Sequence, residues 1–236
     1  MNSIIIGDIH GSRFWKKTVE DNPNCRYVFL GDYLDPFENM DNNELTDNLK
    51  EIIQLKKDNP DNVVLLLGNH DMHYITSDMC PSLRFDLSIY EKANELFIHN
   101  FHLFHYAYQI ESCIFTHAGI SHEWFVNDFQ GDITNDIAEQ LNNPTEEQAK
   151  SLCLISEFFG GEEGTIGGIF FAHLQDLYEP LHGFTQIVGH NRMDEISEYQ
   201  CEHGNVIFCD ALWNGQYLKM NEKEEKEIVI LKNSNV

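Results

Sequence analysis

The chain predicts an α/β fold built on two β-sheets packed face to face, with helices covering them. Three observations carry this. The first third alternates short β-branched apolar runs with amphipathic segments, the signature of strand–helix–strand units and a parallel sheet. The last quarter is strand-rich. Hydrophobic residues make up 42% of the 236 residues, enough for a sizeable core and too many for a disordered chain.

SIIIG (3–7) predicts the first strand and SRFWKKTVED (12–21) a short helix. RYVFLGD (26–32) predicts a second strand, followed by a polar loop. The segment 44–59 places apolar residues at 45, 49, 52, 53 and 55, a roughly helical spacing. NVVLLLG (62–68) is a third strand, apolar enough to be covered on both faces. Residues 101–110 and 112–119 read as the arms of a hairpin, and 121–159 as a helical insertion interrupted near Asn143–Pro144. A glycine-rich turn, GGEEGTIGG (160–168), follows. FTQIVGH, EISEYQ, NVIFCD, QYLKM and EIVILK then predict five strands. With no repeat or linker in the sequence, one domain over 1–236 is the simplest organisation.

Charge bounds the partners. Thirty-nine acidic residues face fifteen basic ones, giving a net charge of −24, and only Arg13, Arg26, Arg84 and Arg192 are arginines. Such a surface repels long nucleic acids and anionic membranes. No apolar run approaches the ~20 residues that span a bilayer, and MNSIIIGDIHG lacks the basic and long apolar segments of a signal peptide. Six cysteines with no CxxC pair read as reduced core thiols in a cytoplasmic protein. Cys201 and Cys209 could face each other on adjacent strands, though nothing requires a bond.

The polar residues gather where strands end. The first strand runs into GDIHG (7–11), the second into GDYLD (31–35) and the third into GNHD (68–71). Two later strands run into THAG (116–119) and GHN (189–191). Ligands of parallel sheets collect outside the carboxyl ends of the strands. Asp8 and His10 are two residues apart and share a side of an extended segment. Asp32 can bridge two ions through its two oxygens. With Asn69, His117 and His190 they make a donor set of oxygen and nitrogen without sulfur, suited to Mn, Fe, Zn or a similar divalent metal. His102 and His105 read as packing or surface residues, with His173 and His182 somewhat better candidates.

In this order, GDIHG, GDYLD, GNHD, THAG and IVGHN resemble the calcineurin-like metallophosphoesterase superfamily. The pattern is most similar to its serine/threonine phosphoprotein phosphatase type and the bacterial and phage relatives. The resemblance covers residue 7 to about 191, and VIFCDALWNG is similar to the family's last strand and turn. It implies a four-layer αββα fold with two mixed sheets. It implies two divalent ions, manganese first and Fe, Zn, Ni or Mg as alternatives. One ion is held by Asp8, His10 and Asp32, the other by Asp32, Asn69, His117 and His190. The implied reaction is hydrolysis of a phosphomonoester, on a phosphoprotein or small phosphorylated metabolite, by in-line attack of a hydroxide shared between the ions.

The resemblance also assigns His70 as the group that protonates the leaving oxygen, with Asp35 orienting its imidazole. Asp71 is expected to cap the following turn. Where the family reads DRG and clamps phosphate with its arginine, this chain reads Asp35–Pro36–Phe37. Arg192, beside His190, and Arg13, after GDIHG, are the candidate replacements. Two other readings stand beside this one: a phosphodiesterase or dinucleoside-polyphosphate hydrolase, and a non-catalytic metal-binding scaffold.

Overall fold

A computed structural model describes residues 1–76 and 84–231. Cys80 therefore lies outside the described residues. The chain divides into two compact units, Met1–His105 with Ala211–Val236, and Tyr106–Asp210.

The first unit is built on a six-stranded mixed sheet. Its strands are β1 (Ser3–Ile6), β2 (Arg26–Phe29), β3 (Val63–Leu66), β4 (Phe104–His105), β10 (Gln216–Met220) and β11 (Lys226–Ile230). Their order is β11-β10-β1-β2-β3-β4. The β1–β2, β2–β3 and β3–β4 pairs are parallel, and β10 adds antiparallel to β1. Every residue of β1 and β3 is buried, so both faces of these strands are covered, as their unbroken apolar runs require.

Among the described residues, four α-helices belong to this unit: α1 (Phe14–Asp21), α2 (Asn42–Asp58), α3 (Asn69–Ile75) and α4 (Tyr90–Asn100). α2 buries Leu45, Leu49, Ile52 and Ile53. Its N-cap, Asp41, accepts from the Asn43 and Glu44 amides, and Lys56 and Lys57 stand in its last turn, a charge arrangement that complements the helix dipole. The Asn48 side chain on α2 is fully buried. It accepts from Trp15 Nε1 at 2.9 Å and donates to the Gly11 and Ser12 carbonyls at 3.2 and 3.1 Å. A single amide thus ties α1, α2 and the loop after β1 together.

The second unit carries a five-stranded mixed sheet of β5 (Ala107–Ile110), β6 (Cys113–Thr116), β7 (Thr185–Val188), β8 (Ser197–Gln200) and β9 (Asn205–Phe208). Their order is β5-β6-β7-β9-β8. β6, β7 and β9 are parallel, with antiparallel edges at β5 and β8. Ala118, Ala172, Leu177, Val188, Val206 and Phe208 form a buried cluster here.

The middle of the chain differs from the sequence reading in three respects. The expected hairpin is β5–β6 alone, because Phe104–His105 pairs with β3 in the other sheet as β4. Residues 90–100 are helix α4, whose buried Ala93 and Phe97 stand four apart, a repeat that the aromatic richness of the region disguised. The expected helical stretch 121–159 is broken into pieces: a π-turn at Trp124–Asp128, α5 (Ile137–Asn142), α6 (Glu146–Leu152) and a 3₁₀ turn at Glu157–Phe159. The break at Asn143–Pro144 falls where expected, and Thr145 opens α6 with a capping box to Gln148. Cys201 follows β8 and Cys209 follows β9, out of register with each other; both are free thiols.

Candidate active site

Backbone geometry marks the site first. Among the described residues, non-glycine residues with positive φ are eight, and four of them are His10 (+41°), Asp32 (+51°), Asp35 (+57°) and His190 (+61°). Left-handed backbone at such residues costs energy and persists where surrounding contacts over-determine it, characteristically at functional sites. At Asp32 the contacts come from the loops that end β2 and β3. Asp71 accepts from the Asp32 amide at 2.8 Å, the Tyr33 amide at 2.9 Å and the Gly68 amide at 2.8 Å. Its role as a turn cap is therefore wider than the sequence suggested, since it clasps two strand ends. A Cβ on Gly31 would stand 2.5 Å from Gly68 N, and one on Gly68 would stand 2.1 Å from Asp32 Oδ1. Only glycine lets the two loops approach this closely.

In the first unit, Asp8, His10 and Asp32 converge. His10 Nδ1 lies 2.9 Å from the Leu34 carbonyl. A carbonyl only accepts, so Nδ1 carries the proton and Nε2 keeps its lone pair. That Nε2 lies 3.6 Å from Asp32 Oδ2 and 3.9 Å from Asp8 Oδ2. These separations exceed a hydrogen bond and approach the ligand–ligand spacing around one ion, ~3–3.5 Å for bonds of ~2.1 Å. Burial pushes His10 down to about 4, against the opposing pull of Asp32, which keeps the ring in the neutral form that binds metal. Asn69, the first residue of α3, is buried. The adjacent amide, His70 N, donates to Asp32 Oδ1 at 2.9 Å.

His70 and Asp35 form the second cluster of this unit. His70 Nδ1 lies 2.7 Å from Asp35 Oδ2, and Tyr74 Oη donates to Asp35 Oδ1 at 2.5 Å. Asp35 is almost fully buried. Burial opposes charge on His70, but Asp32 and Asp35 outweigh it and hold the imidazole above its ordinary pKa. On the other side of the ring, Arg84 Nη2 lies 3.0 Å from His70 Nε2. The Arg84 guanidinium also sits 3.7 Å over the Phe37 ring, a cation–π contact. Phe37 in turn packs edge-on against His10, centroids 4.8 Å apart. A cleft of about 200 Å³ opens beside this group, lined by Asp35, Glu38, Met40, Asn42, Arg84 and Asp86 among others.

The second unit holds the remaining predicted ligands. His117 follows β6 and His190 follows the neighbouring parallel strand β7. Their rings meet edge to face, centroids 5.0 Å apart, and Gly189 N donates to the His117 carbonyl at 2.8 Å. His117 is fully buried. Phe159 packs edge-on against His190 at 5.0 Å. Asn191 accepts from Leu174 N and donates to the Ala172 carbonyl, holding the loop that follows β7.

The structure thus gathers Asp8, His10, Asp32, Asp35 and His70 in one unit, and pairs His117 with His190 in the other. Arg13 and Arg192 are both exposed. His173 packs among Phe158 and Phe159. Sequence reasoning missed Arg84 and Tyr74. Tyr74 follows His70 by four residues on α3, the spacing that shares a helix face, so it was open to detection. Arg84 stands in no motif; its one signal is being the sole arginine between Arg26 and Arg192.

Metal-type donors thus follow the parallel strands of each unit, and a carboxylate-held histidine stands among those of the first. The chain belongs to the calcineurin-like phosphoesterase family, whose model matches residues 1–235. It is accordingly a phosphoric ester hydrolase of a dinuclear-metal-dependent family. No curated protein sequence matches it. Among solved structures, it is similar to the cold-active protein-tyrosine phosphatase of a psychrophilic Shewanella species, with a TM-score of 0.60 and 17% identity over 96% of this chain and 80% of that one. It is also similar to a Saccharomyces cerevisiae protein serine/threonine phosphatase with similarity to human phosphatase PP5, TM-score 0.57 and 12% identity over 100% and 81%. A putative diadenosine tetraphosphatase matches with TM-score 0.50 and 15% identity over 99% and 95%. At these identities the three likenesses show the fold alone.

Proposed function

We propose that the chain, as one domain over 1–236, is a manganese-dependent phosphomonoesterase of the cytoplasm, acting on a phosphoprotein or a small phosphorylated metabolite. Asp8, His10 and Asp32 would hold one ion, and Asp32, Asn69, His117 and His190 the other. The donor chemistry fits: carboxylate, amide oxygen and neutral imidazole, with the lone pair of His10 Nε2 facing two carboxylates. When bound, the two ions supply the attacking hydroxide near neutral pH and offset charge on the phosphoryl oxygens. The free thiols of the described cysteines fit a reducing compartment.

The observation that carries the reading is the Asp35–His70–Arg84 line. Asp35 fixes the proton on His70 Nδ1 and favours a second one on the ring. Arg84 donates to Nε2, which makes that nitrogen an acceptor in this arrangement. A phosphoryl oxygen is a stronger acceptor for a guanidinium than an imidazole is. Once Arg84 turns to the substrate, Nε2 takes up a proton and delivers it to the leaving oxygen as the P–O bond breaks. Arg84 then serves where the family's DRG arginine is missing, with Arg192 and Arg13 as further phosphate contacts.

Assay of p-nitrophenyl phosphate and its bis ester with Mn²⁺ tests this. The monoester is expected to turn over faster. Faster turnover of the diester, or cleavage of a dinucleoside polyphosphate alone, favours the second class of substrate. Manganese binding without turnover of any ester would leave a scaffold.

A further inference from the structure

The second unit holds a group of histidines that the phosphoesterase motifs do not use. It forms where three segments are cross-linked by their backbones. Ser121 and Pro180 make an isolated antiparallel bridge. Beside it, His122 N donates to the Glu179 carbonyl and Leu181 N to the Ile120 carbonyl, both at 3.0 Å. Buried Gln186 clamps Ile120 from both sides, accepting from its N–H and donating to its carbonyl at 2.7 Å each. Gly183 N donates to the His203 carbonyl at 2.8 Å, which brings in the β8–β9 turn. A Cβ on Gly204 would stand 2.9 Å from the Phe184 carbonyl oxygen, so the turn lies close against the segment.

On this framework the side chains converge. The His122 and His182 rings stack with centroids 3.6 Å apart and 4° between planes, and His203 lies 4.5 Å beyond His182. His182 Nε2 is 2.5 Å from Glu179 Oε1, and His203 Nε2 is 3.9 Å from the same oxygen. One donor atom from each of Glu179, His182 and His203 falls within 4.8 Å of the others.

Imidazole nitrogens and a carboxylate oxygen are the donor types that bind a late transition metal. His122 Nδ1 is buried and finds no hydrogen-bond partner among the described residues. The side chains of His182, His203 and Glu179 are 35%, 46% and 53% exposed, so an ion can enter and keep bound water.

We infer that Glu179, His182 and His203 form a site for one divalent late transition-metal ion, Zn²⁺ or Ni²⁺ in class, with His122 stacked against His182 to hold its ring. Two imidazoles and one carboxylate select such ions over Mg²⁺ and Ca²⁺, which prefer all-oxygen shells. His203 Nε2 stands 3.9 Å from Glu179 Oε1, near the ~3.3–3.5 Å edge of a tetrahedral zinc site, and an ion would displace the proton that His182 Nε2 shares with Glu179. None of these residues belongs to the phosphoesterase ligand set, so the inference does not depend on that reading.

Zn²⁺ alone is the probe, with the full-length protein and its His182→Gln/His203→Gln variant titrated in parallel. Native mass spectrometry is expected to find one equivalent fewer in the variant, with turnover of p-nitrophenyl phosphate under Mn²⁺ unchanged. Crystals of the natural protein soaked in ZnCl₂ are expected to show an anomalous peak between Glu179 and His182. Glu179→Gln, an exposed change that leaves the histidines in place, should weaken that equivalent on the order of 10–100-fold. Equal zinc stoichiometry in the natural protein and both variants, or anomalous peaks only at other residues, overturns the inference. Should the double variant not fold, the Glu179→Gln titration and the anomalous map decide the question alone.

Discussion

At the scale of single residues, His70 is the group whose surroundings say most about chemistry. Its two nitrogens meet different partners, Asp35 at 2.7 Å and Arg84 at 3.0 Å. Replacing His70 with Asn should lower kcat by ~10²–10⁴-fold while manganese content stays near that of the natural protein. Metal analysis and steady-state kinetics on one preparation check both halves; lost manganese would make His70 a ligand instead. Arg84→Ala should act differently, raising KM for a phosphomonoester through loss of a charge-assisted contact worth about 1.5–3 kcal/mol, or ~10–150-fold. An unchanged KM would remove Arg84 from substrate binding. Tyr74→Phe deletes the donor to Asp35 Oδ1 and should lower kcat less than His70→Asn does, because Asp35 keeps its bond to His70.

At the scale of elements, the loops after β1, β2 and β3 are shaped by neighbours rather than by their own turns. Asn48 on α2 holds the GDIHG loop through the Gly11 and Ser12 carbonyls. Asn48→Ala should cost about 1–3 kcal/mol by stranding buried partners, read as a shift of the urea midpoint. Gly68→Ala should be worse for the site than for the fold. Its new methyl would collide with Asp32 Oδ1 at 2.1 Å, so the variant should lose manganese while keeping its far-ultraviolet dichroism. Much of the element pattern was legible in the sequence. SIIIG, RYVFLGD and NVVLLLG became β1, β2 and β3, since a short apolar run with turn residues at its end leaves little choice. β4 and α4 were not legible. β4 is two residues long and exists only because β3 offers it an edge. α4 sits in an aromatic-rich stretch whose period is weak.

At the scale of the whole molecule, a net charge of −24 must be reconciled with an anionic substrate. Bound divalent ions reverse the sign locally. Chelation with EDTA should therefore abolish phosphoesterase activity and added Mn²⁺ restore it; activity that survives exhaustive chelation would contradict the proposed centre. No helix among the described residues is long and apolar enough to cross a membrane. The family and its hydrolase chemistry were readable in the sequence, because the five glycine-flanked motifs state donor type and order directly. Asp8, His10, Asp32, Asn69, His117 and His190 were named there as candidate ligands from residue type and place at a strand end, and His70 and Asp35 as the acid pair from the family resemblance. What those residues touch was decided only on folding. That Asp71 reaches back to Asp32 and Tyr33, that Arg84 rests on Phe37, and that His203 comes beside the Glu179–His182 pair are contacts between separate segments of the chain. A local pattern fixes which atoms a segment can offer; only packing decides which atoms of another segment arrive within reach of them.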